Sequence, residues 1–177
     1  MSAKRADKRA DGPAQKPAAQ PAPEQGPAWL PTAAAAARLL VGAVFLASGL
    51  EKAAMPPEEF AAIIQGYWLL PPSAHLPLAL ALPPIEVLTG LALLAGYNYR
   101  GFSAAAGGLF LAFIVALAST LLRGIPLPDC GCFGRGVHLS VPQALGLDSA
   151  LLCLSYLAYR KGAALSWLDR WVEKGTP

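Results

Sequence analysis

The sequence predicts an all-α polytopic membrane protein, a four-transmembrane-helix bundle with short interfacial helices. Three observations carry that prediction. Hydrophobic residues make up 55% of the 177-residue chain and charged residues only 14%, whereas a soluble domain is about a quarter charged. The apolar excess falls in four blocks, each near the ~20 residues that a bilayer-crossing helix needs. Lys and Arg gather near the ends of those blocks, as flanking cations of spans do.

Taken in order, residues 1–28 are rich in Ala, Pro, Gln, Lys, Arg and Asp. They bury too little apolar area to offset ordering and are expected to form a disordered cytoplasmic tail. Residues 29–160 are expected to form the four-helix transmembrane domain, with spans at about 32–53, 75–96, 101–122 and 142–159. The first span reaches about 33 Å at 1.5 Å per residue, enough for a ~30 Å hydrocarbon layer. Leu39 to Leu46 followed by Ala47-Ser48-Gly49 imitates a signal peptide, but the polar stretch before it is unusually long for one.

Between spans one and two, Phe60, Ile63, Ile64, Tyr67 and Trp68 fall at helical spacing between two proline pairs and predict a short interfacial helix. Pro83-Pro84 in mid-span two removes helix hydrogen bonds and predicts a bend. Ala104 to Gly108 predict a close helix contact at the start of span three. Residues 161–177 are expected to form an amphipathic cytoplasmic tail, with Leu165, Trp167, Leu168 and Trp171 mostly on one face.

With the amino terminus inside, Lys16, Arg38, Arg100, Arg160, Lys161, Arg170 and Lys174 lie on the cytoplasmic side, against Lys52, Arg123 and Arg135 outside. This excess places both termini in the cytoplasm of a bacterial inner membrane protein. The connection from Arg123 to Val141 then faces the periplasm, where disulfides persist. The net charge of +3 does not imply nucleic acid, because five of the 14 basic residues sit in one tail without aromatic neighbours.

That outer connection contains Asp129-Cys130-Gly131-Cys132-Phe133-Gly134-Arg135, followed by His138. Cysteines one residue apart bring their Cα atoms near the ~4.4–6.8 Å bridging range, although so small a ring forces off-ideal torsions. A strained, exposed disulfide has a higher reduction potential, which suits thiol exchange. Cys130 and Cys132 are therefore the candidate catalytic pair. Arg135 and His138 supply side chains that favour a thiolate, and Asp129 opposes that effect or accepts a proton. Two alternatives stay open: an inert surface dithiol, and a soft ion such as Cu(I) held by the two thiolates with His138 or Asp129.

Within the spans, Cys153 reads as a small buried apolar residue. Arg38 reads as a cation snorkelling to the cytoplasmic interface. Asp148 reads as half of an ion pair with Lys52 or Arg123. Glu86, read as a lone midplane carboxylate and expected to be neutral, has two readings. It is a proton site or the polar contact of a membrane quinone, or it caps carbonyls freed by Pro83-Pro84.

The run Arg38-x3-Gly42 with Ser48-Gly49-x2-Lys52, then Phe60-x2-Ile63-x3-Tyr67-x-Leu69-Leu70-Pro71, Pro84-x-Glu86-x3-Gly90, and Asp129-Cys-Gly-Cys-Phe-Gly134 with Ser140 and Asp148, resembles the MauE/DoxX-like family, specifically its methylamine-utilisation branch. The resemblance covers about residues 35 to 159, and the cysteine motif is its most specific part. It implies a thiol–disulfide oxidoreductase or accessory that works with a periplasmic thioredoxin-like protein on a cysteine-containing client. In the namesake system that client is the small subunit of methylamine dehydrogenase. A soft-metal carrier, a small-solute permease and a non-catalytic assembly scaffold are the alternatives.

A membrane-impermeant maleimide added to intact, reduced cells is expected to label Cys130 and Cys132 but leave Cys153 unreacted. Labelling only after the inner membrane is opened would reverse the orientation.

Overall fold

A computed structural model describes residues 29–126 and 139–162. Both tails, the expected terminal amphipathic helix, and the loop residues Asp129, Cys130, Cys132, Arg135 and His138 lie outside the described residues. Regular structure among the described residues is entirely helical. The elements are α1 (Leu30–Ala53), α2 (Pro57–Gly66), α3 (Pro72–Ala95), α4 (Tyr99–Leu122) and α5 (Val141–Lys161). All but α2 are long and apolar enough to cross a membrane.

Local chemistry explains where the helices start and turn. Pro57 and Pro72 occupy first-turn positions, where a missing N–H costs nothing and the fixed φ favours helix entry. α3 ends at Gly96, whose φ of 74° is the left-handed conformation that glycine adopts without penalty. Asn98 then accepts a hydrogen bond from the Gly101 amide at 3.3 Å and starts α4. At the start of α5, Gln143 Oε1 accepts from the Ser140 amide at 3.0 Å. α3 runs unbroken through Pro77, Pro83 and Pro84.

α1 packs most extensively on α3, and α4 on α5, while α5 closes the bundle against α1. The central core joins Val41, Phe45, Leu93, Ala106, Phe110 and Leu151, with the Phe45 and Phe110 rings 4.7 Å apart. α2 lies across the amino-terminal half of α3, where Phe60 packs with Met55 and Ala79. Leu40, Leu50, Leu80, Leu88, Leu111 and Val115 instead face outward. Such a bundle keeps small and polar groups inside and presents apolar side chains to lipid.

The close contact expected at the start of α4 is made in part: Ala106 is fully buried, and a methyl added at Gly107 would lie 3.6 Å from the Leu152 side chain of α5. Ala104, Ala105 and Gly108 are exposed, and a methyl group added at Gly108 would meet nothing within 4 Å. The tight approach is between α1 and α3. A methyl added at Gly90 would sit 2.6 Å from the Leu46 nitrogen and 2.8 Å from the Gly42 carbonyl oxygen. One at Gly49 would sit 2.9 Å from the Val87 nitrogen. Backbone atoms cannot rotate away as a side chain can, so these glycines fix how closely the two helices lie.

Two further expectations are corrected. Arg38 does not snorkel: it is 1% exposed, enclosed in the bundle. Cys153 is exposed on the outer face of α5 rather than buried, because Leu151 and Ser155 take the inward positions of that turn.

Candidate functional site

Ser48 and Lys52 stand four residues apart in α1, so their side chains share one face. Gly49 and Gly90 let α3 approach closely enough to bring Glu86 against that face. The Lys52 ammonium donates to Glu86 Oε1 at 2.7 Å, to Glu86 Oε2 at 2.9 Å and to Ser48 Oγ at 2.8 Å. Ser48 Oγ in turn donates to Glu86 Oε2 at 3.1 Å. Lys52 is 4% exposed and Glu86 fully enclosed. The rings of Phe60 and Phe113 lie 5.7 and 5.5 Å from the ammonium nitrogen and cover it with π density.

Glu86 is therefore not the lone carboxylate read from the sequence. Its partner is Lys52, and both its oxygens accept hydrogen bonds from α1 rather than serving the prolines of α3. The ion pair expected between Asp148 and Lys52 or Arg123 is also replaced. Lys52 is committed to Glu86, and Arg123 donates to the carbonyls of Tyr67 at 2.7 Å and Trp68 at 2.9 Å. Arg123 thereby ties the turn after α2 to the end of α4. The backbone there needs holding, since Trp68 has a left-handed φ of 53°. Asp148 is buried with no salt bridge among the described residues.

Two cavities adjoin the ion pair. The larger, about 200 Å³, lies between α2, α3 and α4 and is walled by apolar side chains including Phe60, Tyr67, Leu82 and Phe113. Among the described residues Lys52 is its one charged lining residue, and Glu86 stands behind Lys52 without lining it. The smaller, about 20 Å³, lies on the other side of the pair, where Ser48, Glu86 and Asp148 meet. Among the described residues no three His, Cys, Asp or Glu side chains group as a metal site.

Of the six residues singled out in the sequence, Glu86 stands at this centre, and the five loop residues lie outside the described residues. The connection that carries them runs between two packed helix ends, since Leu117 of α4 touches Val141 and Ala144 of α5. Tyr67, held by Arg123, packs against the same cluster and lines the larger cavity. Lys52 and Ser48 were missed as site residues. Their four-residue spacing was visible, but the register that sets them against Glu86 was not.

Removing one partner of a buried ion pair leaves the other uncompensated, at a cost of about 3–5 kcal/mol. Lys52→Met and Glu86→Gln are each expected to lower stability on that scale. The double variant, which leaves no charge unpaired, is expected to recover a large part of the loss in a double-mutant cycle of thermal unfolding in detergent. Strictly additive losses would show that the pair is not coupled.

The profile of the family described as methylamine utilisation protein MauE matches residues 30–161. The methylamine utilization protein MauE of Paracoccus denitrificans is 33% identical over 127 residues, covering 72% of this chain and 68% of that protein. Its counterpart in Methylophilus methylotrophus is 34% identical over 110 residues, covering 62% and 57%. That of Methylorubrum extorquens is 33% identical over 122 residues, covering 64% and 66%. The aligned segment thus spans roughly two thirds or less of these relatives' lengths. No solved structure matches the chain. The match runs through all four spanning helices and the lateral helix that roofs the ion pair, and the chain belongs to the MauE family of membrane proteins.

Proposed function

We propose that this chain is a membrane-bound thiol–disulfide relay, or the membrane accessory of one, serving methylamine utilisation. Cys130 and Cys132 exchange disulfides with a periplasmic thioredoxin-like partner, which acts on a cysteine-containing client. The observation that carries this reading is the Cys130-Gly131-Cys132 motif in the connection between α4 and α5. Membership of the MauE family supports it, and the relatives' names supply the methylamine context. The exchange balances without a further reagent: a thiolate of the reduced partner attacks the loop disulfide, a mixed disulfide forms, and the second partner thiol displaces it. The partner leaves oxidised, and the loop retains two electrons and two protons as a dithiol.

Reoxidation of that dithiol needs a two-electron acceptor, and a lipid-soluble quinone is the proposed one. When bound, it takes up the electron pair and two protons. The cavity beside Lys52 supports this reading, being apolar, partly aromatic and at the loop's end of the bundle. Phe60, Tyr67 and Phe113 would hold a flat ring, and Lys52 supplies the positive charge at the cavity wall. The contact first assigned to Glu86 passes to Lys52, with Glu86 setting the position of the ammonium.

A reduced thioredoxin-like protein whose second cysteine is replaced by Ser, and which therefore cannot resolve the mixed disulfide, is expected to be trapped as a reductant-sensitive adduct on the oxidised wild-type chain and not on a chain with both Cys130 and Cys132 replaced by Ser. No adduct on the oxidised wild-type chain would refute the relay, and stoichiometric protection of both thiols by Cu(I) would favour metal carriage. In isolated membranes, added quinone is expected to accelerate reoxidation of the loop dithiol. Ala116→Trp, which fills the cavity from α4, is expected to abolish that acceleration while leaving the adduct intact. Undiminished acceleration in that variant would remove the cavity from the pathway.

A further inference from the structure

The buried charges at the centre of the bundle do not balance. Among the described residues three ionisable side chains meet there: Lys52 from α1, Glu86 from α3 and Asp148 from α5. α4 contributes Phe110 and Phe113 to the same space and no ionisable group, and α2 contributes nothing to it. Arg38, the other buried cation of α1, is ten residues from Ser48, roughly 15 Å along the helix. One ammonium therefore faces two carboxyl groups. Glu86 receives its hydrogen bonds from Lys52 and Ser48.

Asp148 receives no such share. It is 5% exposed, and its Oδ2 has no hydrogen-bond partner among the described residues. An ionised carboxylate left in that position would be an uncompensated charge in the membrane interior, which costs several kcal/mol at least. The space between Asp148, Glu86 and Ser48 is about 20 Å³. A buried water needs at least about 10–15 Å³ and two to four polar partners. The cavity has room for one water, and the three side chains supply the partners. The remaining walls, Phe45, Phe110 and Leu151 among them, are apolar and leave that water no other hydrogen bond.

We infer that Asp148, Glu86 and Ser48, with the small cavity among them, form a site for one exchangeable proton and one water molecule, the proton being carried by Asp148. With that proton bound, Lys52, Glu86 and Asp148 sum to zero charge. The Asp148 carboxyl then donates to the water, and the water donates to the Glu86 carboxylate or Ser48 Oγ, so Oδ2 is no longer unsatisfied. Loading and release exchange one proton with bulk water, with no change in electron count. This site does not depend on the loop cysteines and stands or falls apart from the relay.

Infrared spectroscopy of the full chain in phosphatidylcholine nanodiscs at pH 7 tests it directly. The expected signal is one carboxylic-acid C=O band that shifts on exchange into D₂O. Incorporating aspartate labelled with ¹³C at the side-chain carboxyl is expected to shift the same band. The band is expected to be lost in Asp148→Asn and retained in Asp129→Asn. Absence of the band in folded wild-type protein would overturn the inference, as would a band that labelled aspartate does not move. A band present in choline chloride and abolished by sodium chloride would assign the site to a metal cation instead. If Asp148→Asn does not fold, isotope labelling of the wild type decides the question without it.

Discussion

An ammonium and a carboxylate buried together in a bilayer must hold each other, because neither has water to turn to. The 2.7 Å contact between Lys52 and Glu86 sets the terms for the surrounding helices. It requires α1 and α3 to lie close, which Gly49 and Gly90 permit. It places Ser48 one turn below Lys52, where its hydroxyl both accepts from the ammonium and donates to the carboxylate. Covering the ammonium then falls to Phe60 and Phe113, so α2 and α4 are drawn in as well. Each of these features is modest alone, and the pair makes them interdependent.

The end of the bundle that carries α2 is organised around the same centre. α2 would be a short helix of little stability by itself, but Phe60 anchors it over Lys52 and Arg123 fastens the turn that follows it. The larger cavity is the space left beneath that roof. Asp148 reaches the ion pair from its far side, about seven residues into α5 and roughly 10 Å from the helix start. The cavity and the polar centre thus flank one lysine, within the part of the molecule that the cysteine-bearing connection joins. A relay in that connection would have an apolar cavity and buried acids in the same end of the bundle.

The fold class was legible because hydropathy is a property of contiguous residues. Four apolar blocks, Pro-flanked breaks and one amphipathic stretch were enough to expect four spans and a lateral helix, and the spanning-helix boundaries differ by no more than three residues from that reading. The cysteine motif was equally legible, since its chemistry depends on neighbours in sequence. Glu86 stood out for a similar reason, as an acid within an apolar run.

What the sequence could not determine was which buried groups meet. Arg38, Lys52 and Arg123 read alike as flanking cations, yet the first two turn inward and the third ties a turn to a helix end. The pairing of Lys52 with Glu86 rather than Asp148 depends on the rotation and register of α1 against α3, which glycines more than forty residues apart set through backbone contact. Hydropathy along one helix carries no information about such distances. The sequence by itself determined that the chain crosses a membrane four times and carries a dithiol motif. The tertiary structure alone decided which charges are paired, which acid is left without a cation, and where cavities remain, because those follow from contacts between helices rather than from any one of them.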